Sequence, residues 1–334
     1  MKAVIMKKSG DPKDFLALED INDPAASDPE SAIVRMRKRV IHPADFQTIR
    51  GYLPAEVFAP GGILGIDGTG VVEAVGNGVE AAGSIAVGTR VIVYHAHATW
   101  AERVAVNAAM LMPVPDDIDD AVASQLGTNG VTAVMLLRAA EEAIRNVPGT
   151  PLLLVSAAGS SVARTLVALA AAKGHKVIGL VRRGADAAEL IKQFDGVPVI
   201  GTDRQDWQDA VRATGGSAAV AIDPIGGAMM PTLLGLLAPG GTLITYGQLD
   251  PEMSPVSSGF VTSFELTIRG CSAMGWAMRT PPEGRAADFA SLFELARHSP
   301  HLFGGYQEFG LEDVVAAIAA AEASPRRGAT ILTS

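Results

Sequence analysis

The residues of this chain best able to move a proton or hold a metal are few: six histidines, one cysteine and four tyrosines among 334 residues. His42 stands three residues before Asp45, and Tyr52 follows Gly51 shortly after. A phenol with an ordinary pKa of about 10 stays protonated at neutral pH and can donate to a developing oxyanion. Tyr52 is therefore the first candidate for a hydrogen-bond donor or proton source, with an amphipathic tyrosine on a loop edge as the alternative. Imidazole can act as a general acid near pH 7, which makes His42 the second candidate; a satisfied structural histidine is the alternative. His95 and His97 alternate on a strand-like run and are expected to share a face. With His42 they could contribute to a metal site, or they could form a polar wall. Trp100, in Ala98-Thr99-Trp100, reads as a cleft wall against a substrate or as core. The single cysteine, Cys271, excludes an internal disulfide framework and a zinc lobe of four cysteines. It follows an apparent strand, as a small buried hydrophobe would.

A second set of residues suits a nucleotide. Leu154-Val155-Ser156-Ala157-Ala158-Gly159-Ser160-Ser161-Val162-Ala163-Arg164 runs from an apolar strand through a small-residue turn into a helix. Small residues let the backbone approach a pyrophosphate, and the helix N-terminus offers N–H groups and a positive dipole end. A strict G-x-G-x-x-G is absent, since Ala157, Gly159 and Val162 hold the three positions. The context carries the reading, because the run sits inside a β-α-β unit. The next strand ends in Leu180-Val181-Arg182-Arg183-Gly184, with Arg182 placed 23 residues after Gly159. An NAD site normally has a carboxylate there; two guanidinium groups favour the 2′-phosphate of NADPH, unless they are a solvated charge pair.

These residues need elements to hold them. Residues 1–120 are rich in Gly, Pro and Val, with short β-like runs at 33–41, 70–75 and 90–94 and the turn signal Asn77-Gly78. Residues 121–143 carry apolar positions at helical spacing, interrupted at Gly127-Thr128-Asn129-Gly130. From 152 to 246 strands and helices alternate, which predicts a doubly wound parallel sheet. After about residue 274 the alternation stops. Two helices, at 286–297 and 311–323, and a strand at 329–332 are expected to return to the first domain. The fold class is thus α/β, with a β-rich domain over 1–120 and 274–334 and a Rossmann NADPH-binding domain over 121–273.

Composition narrows the function. The chain is 48% hydrophobic and carries a net charge of −9, which disfavours nucleic acid and anionic membranes as partners. The basic run Arg35, Arg37, Lys38 and Arg39 could attract an anionic acceptor or could be a solvated strand face. No signal peptide and no transmembrane segment are expected, and cysteine usage suits a reducing cytoplasm.

On these motifs the chain resembles the medium-chain dehydrogenase/reductase superfamily over essentially its whole length. Gly65-Ile66-Asp67-Gly68-Thr69-Gly70-Val71-Val72-Glu73-Ala74-Val75-Gly76 is similar to its Gly-rich signature, and Gly88-Thr89-Arg90-Val91 to its G-D-R-V. The resemblance implies a GroES-like catalytic domain interrupted by the nucleotide domain. Where the zinc alcohol dehydrogenases carry a ligand Cys and Gly-His-Glu, this chain has His42 and Gly65-Ile66-Asp67, and Ile66 cannot bind a metal. The closer resemblance is to the zinc-independent branch, quinone oxidoreductases and especially 2-enoyl thioester reductases. It rests on His42-Pro43-Ala44-Asp45, on residues 127–133, on Thr245-Tyr246-Gly247 and on residues 264–270. By that match Asn129, Thr132, Gly159, Ser160, Ser161, Val162, Arg182, Arg183, Tyr246, Gly247, Cys271, Ser272 and Ala273 would line the NADPH site.

Three departures mark this chain: His42 replaces an Asn, Tyr52 directly follows Gly51, and Cys271-Ser272 replaces aromatic residues. The implied activity is NADPH-dependent hydride transfer to a quinone, an enone or a 2-enoyl thioester. A nucleotide-binding sensor without turnover and a zinc dehydrogenase with unusual ligands are the rival readings. The resemblance also implies a homodimer, paired through the edge strand at 264–270.

Overall fold

The protein is described from a computed structural model covering residues 1–83, 85–145, 147–323 and 328–334. It forms two compact units, Met1–Gly130 with Thr280–Ser334, and Val131–Arg279. The break in sequence pattern at 120/121 lies earlier than the structural division. The helix Asp120–Gln125 packs on the strands Ser31–Val40 and Gly68–Val75, so it belongs with the β-rich unit.

The second unit is built on a six-stranded sheet, every neighbouring pair of which is parallel. Its order is Val199–Gly201, Lys176–Val181, Leu152–Val155, Ala218–Asp223, Leu237–Thr245 and Thr267–Gly270. Chain order reverses between Leu152–Val155 and Ala218–Asp223, so a crevice opens beyond the carboxyl ends of these two strands. Both strands are buried along their whole length, which explains their unbroken apolar sequence. Leu154, Ile178, Ala221, Leu233 and Leu243 are among the buried residues that form the core. Each fully buried Leu or Ile contributes about 1.5–3 kcal/mol. Thr267–Gly270 is an edge strand, and all four of its residues are exposed.

The first unit carries a seven-stranded sheet: six strands follow the order Gln307–Gly310, Thr330–Thr333, Ser31–Val40, Gly68–Val75, Arg90–Val93 and Leu111–Pro113, and Arg103–Asn107 pairs with Ser31–Val40. Only the pair Gln307–Gly310 with Thr330–Thr333 is parallel. The segment after residue 280 thus completes the sheet begun by residue 31.

The basic run on Ser31–Val40 is spent within this unit. Arg35 pairs with Glu73, Arg37 with Asp120 and Lys38 with Glu308. Arg39 is fully buried and donates to the carbonyls of Thr99 and Ala101 and to Ser334 Oγ. Burial lowers its pKa to about 9. No helix among the described residues is long and apolar enough to cross a membrane.

Candidate functional site

In the second unit the strand Leu152–Val155 leads through residues 156–160 into the helix Ser161–Ala172. Ala157 adopts the left-handed region at φ 49, a conformation costing roughly 1–3 kcal/mol in a residue with a side chain. Ser160 caps the helix, its hydroxyl accepting from Ala163 N at 3.2 Å. First-turn N–H groups have no partner inside a helix, so this end can receive an anion. A Cβ built on Gly159 would meet only Leu190 Cδ1, at 3.8 Å, so space is open above the turn. Asp223, fully buried, ties the two central strands together. It accepts from the Ser156 hydroxyl and, at 2.8 Å, from Gly226 N.

Arg182 and Arg183 follow the strand Lys176–Val181, Arg182 exposed and Arg183 half-buried. Arg183 pairs bidentately with Asp186, Nε to Oδ2 at 2.9 Å and Nη2 to Oδ1 at 2.7 Å. Tyr246 directly follows the strand Leu237–Thr245. Its hydroxyl is buried without a well-formed hydrogen bond, and burial raises its pKa, Ser160 partly opposing the shift. Gly247 and Ser272 are exposed; Cys271 and Ala273 are half-buried. Burial also raises the Cys271 thiol's pKa, against a neighbouring Arg269. Thr132, on the helix Val131–Ile144, is buried.

In the first unit a polar centre is buried among apolar residues. His42 is the N-cap of the helix Pro43–Ile49 and is 3% exposed. Its Nε2 lies 2.8 Å from Oδ1 of the fully buried Asp67, and it shares a second side-chain hydrogen bond with Asn129. Burial opposes the imidazolium, but Asp67, Asp45 and Asn129 together outweigh it, and the pKa of His42 is raised. Asp45 accepts from His42 N at 2.7 Å. Burial pushes its pKa up to about 7, His42 opposing and Asp67 adding. Asn129 is 8% exposed and lies in the π-helical turn Leu126–Gly130. Asp67 was not singled out as a site residue. An acidic side chain inside the Gly-rich run 65–72 was the available signal.

Three expectations change here. His95 and His97 do not alternate along a strand. They lie beyond the strand Arg90–Val93, in a loop where His95 (φ 49) and Ala98 (φ 63) are both left-handed. The loop is tied to residues 64–66 through Ala96 N to Ile66 O and Trp100 N to Leu64 O, each 2.9 Å. Burial lowers the pKa of both histidines, and His97 lowers that of His95 further. Trp100 belongs to the core: it is fully buried with Val4, Ile49, Leu64 and Ile318 and has no face for a substrate. His42 has no surface to offer as a proton donor in contact with substrate. Tyr52 is 69% exposed, in the turn after the helix Pro43–Ile49, with its backbone N–H bonded to Gln47 O at 2.8 Å.

Two protein families match the sequence, the alcohol dehydrogenase GroES-like domain over residues 28–116 and the zinc-binding dehydrogenase over 162–290. The chain is 26% identical to the mitochondrial enoyl-[acyl-carrier-protein] reductase of Dictyostelium discoideum, over 89% of this chain and 84% of that protein. A candidate NADPH:quinone reductase of Bacillus thuringiensis superposes with a TM-score of 0.85 at 28% identity, covering 100% of this chain and 98% of the other. A mycobacterial protein solved in complex with NADPH superposes equally, 0.85 at 25% identity and 100% of both chains. The chain belongs to the medium-chain dehydrogenase/reductase superfamily.

The second matching family of this superfamily is named for zinc, and the residues present do not fit that ion. A zinc site that acts on substrate needs three protein ligands and an open position. Among the described residues no group of three or more His, Cys, Asp or Glu side chains is placed to hold a metal ion. His42 is instead turned onto Asp67, and Ile66 stands beside Asp67 in sequence.

Proposed function

We propose that this superfamily member is an NADPH-dependent reductase that works without zinc, on the activated double bond of a quinone, an enone or a 2-enoyl thioester. The observation that carries the reading is the open, capped turn 156–161 at the sheet's switch point, with Arg182 and Arg183 ending the adjacent strand. Gly159, Ser160, Ser161 and Val162 would receive the pyrophosphate. Arg182 and Arg183 would bind the 2′-phosphate, Arg183 exchanging Asp186 for it. Tyr246, Gly247, Cys271, Ser272, Ala273, Asn129 and Thr132 would line the rest of the nucleotide. In domain terms, Val131–Arg279 would hold NADPH, and Met1–Gly130 with Thr280–Ser334 would be the catalytic, GroES-like part.

NADPH supplies a hydride when bound. The protein then has to orient the acceptor and supply a proton. Tyr52 Oη is our candidate for that proton, delivered to the quinone oxygen or to the carbon next to the carbonyl, and solvent reprotonates the exposed phenol. Similarity to quinone oxidoreductases and enoyl reductases supports this acceptor range. A cytoplasmic homodimer joined through Thr267–Gly270 is part of the proposal. The fully exposed edge of that strand supports the pairing.

The deciding experiment is a panel of quinones, enones and enoyl-CoA esters with NADPH. Steady NADPH oxidation with 1,4-benzoquinone or crotonyl-CoA is the expected result. Tight NADPH binding with no turnover on any class overturns it in favour of a sensor. Stoichiometric zinc in the purified protein, lost together with activity on chelation, overturns the metal-free mechanism. Tyr52→Phe should leave stability within about 0.5 kcal/mol, as exposed substitutions do.

A further inference from the structure

Arg285 is 8% exposed, and its Nε is sealed from solvent with no hydrogen-bond partner. Among the described residues no ion pair joins it to a carboxylate. The other buried arginine of this unit is treated differently: Arg39 donates to the carbonyls of Thr99 and Ala101 and to Ser334 Oγ. A guanidinium taken out of water without partners is costly, so its retention needs a compensating ligand. Arg285 stands in the first turn of the helix Pro282–His298, on the buried stripe that continues through Phe289, Leu292 and Ala296. Phe289, one turn on, packs on the ring of Tyr94, with centroids 5.0 Å apart. The guanidinium also holds back the rise that burial causes in the pKa of Tyr94. A long helical side chain runs back toward the helix N-terminus, over the turn that precedes its own Cα. That end is open, because the N-cap Pro281 supplies no side-chain hydrogen bond and Pro282 has no N–H. Arg285 N donates to Pro281 O at 3.0 Å, which leaves the N–H groups of Glu283 and Gly284 without a partner inside the helix.

We propose that Arg285 and the first turn of the helix Pro282–His298 form an anion-binding site for a carboxylate or phosphate group of a small molecule. The guanidinium gives two parallel N–H bonds to the oxyanion, and the N–H groups of Glu283 and Gly284 and the helix dipole add to its hold. Glu283 and Asp288 stand two and three residues away and oppose a bare charge, so the ligand has to offer a fork of two oxygens; chloride does not serve. The site uses no residue of the turn at 156–161. It stands without the proposed reduction; that the acceptor carries the anionic group rests on that reading. In that case an acid or a CoA thioester is preferred to a neutral quinone or enone.

The test follows the Nε–H signal of Arg285 in 15N-labelled protein, assigned by its loss in Arg285→Met. At constant ionic strength in chloride, inorganic phosphate or acetate should shift it saturably. A response to acetate alone marks a carboxylate site, and one to phosphate alone a phosphate site. In the chloride buffer Arg285→Met should melt no lower than the wild type, because it removes an unpaired charge and keeps an apolar stem. Turnover separates the sources of the anion. A fall of about tenfold or more in kcat/KM for crotonyl-CoA, with 1,4-benzoquinone unaffected, assigns the group to the acceptor. An unchanged ratio of the two assigns the site to a separate anion.

An Nε–H signal unmoved by both anions overturns the proposal, as does a melting temperature that falls in Arg285→Met, which would make the arginine structural. Should that variant give no usable protein, Arg285→Lys asks the same question on the amide signals of Glu283 and Gly284. Charge without the fork should weaken phosphate binding there about threefold or more, and an unchanged affinity overturns the proposal. If the wild-type protein reduces no acceptor, the reductase reading fails, while the Nε–H titration still decides the anion site.

Discussion

The turn at 156–161 and the centre formed by His42, Asp67 and Asn129 solve opposite problems. The turn belongs to one continuous stretch of chain, and its chemistry is backbone N–H groups and a helix end left open to a ligand. The centre joins residues 42, 67 and 129, and its polar groups satisfy one another out of contact with water. The first waits for charge to arrive; the second has its hydrogen-bonding groups already paired. A site that binds an anion has to stay unsatisfied until the anion comes, whereas a polar centre sealed inside a unit has to be complete beforehand.

Substitutions can break or sharpen this contrast. The largest effect is expected from Asp67→Ala, which strands a buried imidazole and a backbone N–H. Removing one partner of a buried pair costs about 3–5 kcal/mol, to be read as a fall in the urea midpoint. A loss below 1 kcal/mol would show that water reaches the centre, and the contrast would disappear. Next comes Arg182→Ala combined with Arg183→Ala. Two charge-assisted contacts of roughly 1.5 kcal/mol each predict about a hundredfold weaker NADPH binding, with NADH binding nearly unchanged. Equal losses for both nucleotides would show that these arginines do not meet the 2′-phosphate. Ser160→Ala removes the helix cap and should cost about 1 kcal/mol in thermal or urea unfolding, because the hydroxyl satisfies Ala163 N.

The most specific effect, one that changes with pH, concerns Asp45. Its folded pKa, near 7, lies above the unfolded value of 3.8. The folded state therefore binds the proton more tightly, and the stability this provides is full below the unfolded value and lost as pH rises toward 7. Asp45→Asn should consequently gain on the wild type between pH 4 and 7 and stay level above. A difference in melting temperature that does not change with pH would contradict the buried assignment.

How much of this was legible depended on distance along the chain. The run 154–164 and the arginines at 182 and 183 were readable because strand, turn and helix follow one another and each has its own local signal. The α/β alternation from 152 to 246 was readable for the same reason, with the observed strands at Leu152–Val155, Lys176–Val181 and Ala218–Asp223. The centre around Asp67 was not, since nothing local connects position 67 with 42 or 129. Alternation alone reads His95 and His97 as a strand, and the strand in fact ends at Val93. The loop instead bonds to residues 64–66 and passes twice through the left-handed region. Arg39 looked like one of several surface cations, and only three-dimensional packing puts its guanidinium under the carbonyls of Thr99 and Ala101. The strand Arg103–Asn107 went unassigned although its sequence alternates, Val104 and Val106 inward.

The closing of the first sheet has a consequence for synthesis. Ser31–Val40 takes Gly68–Val75 and Arg103–Asn107 as neighbours early, but its remaining partner, Thr330–Thr333, leaves the ribosome almost three hundred residues later. Throughout translation of the nucleotide-binding segment this strand end stays unpaired, with Val40 and Ile41 lacking their final cover. The growing chain therefore carries a sticky edge for most of its time on the ribosome, and aggregation or chaperone engagement should concentrate in that interval rather than in the finished protein.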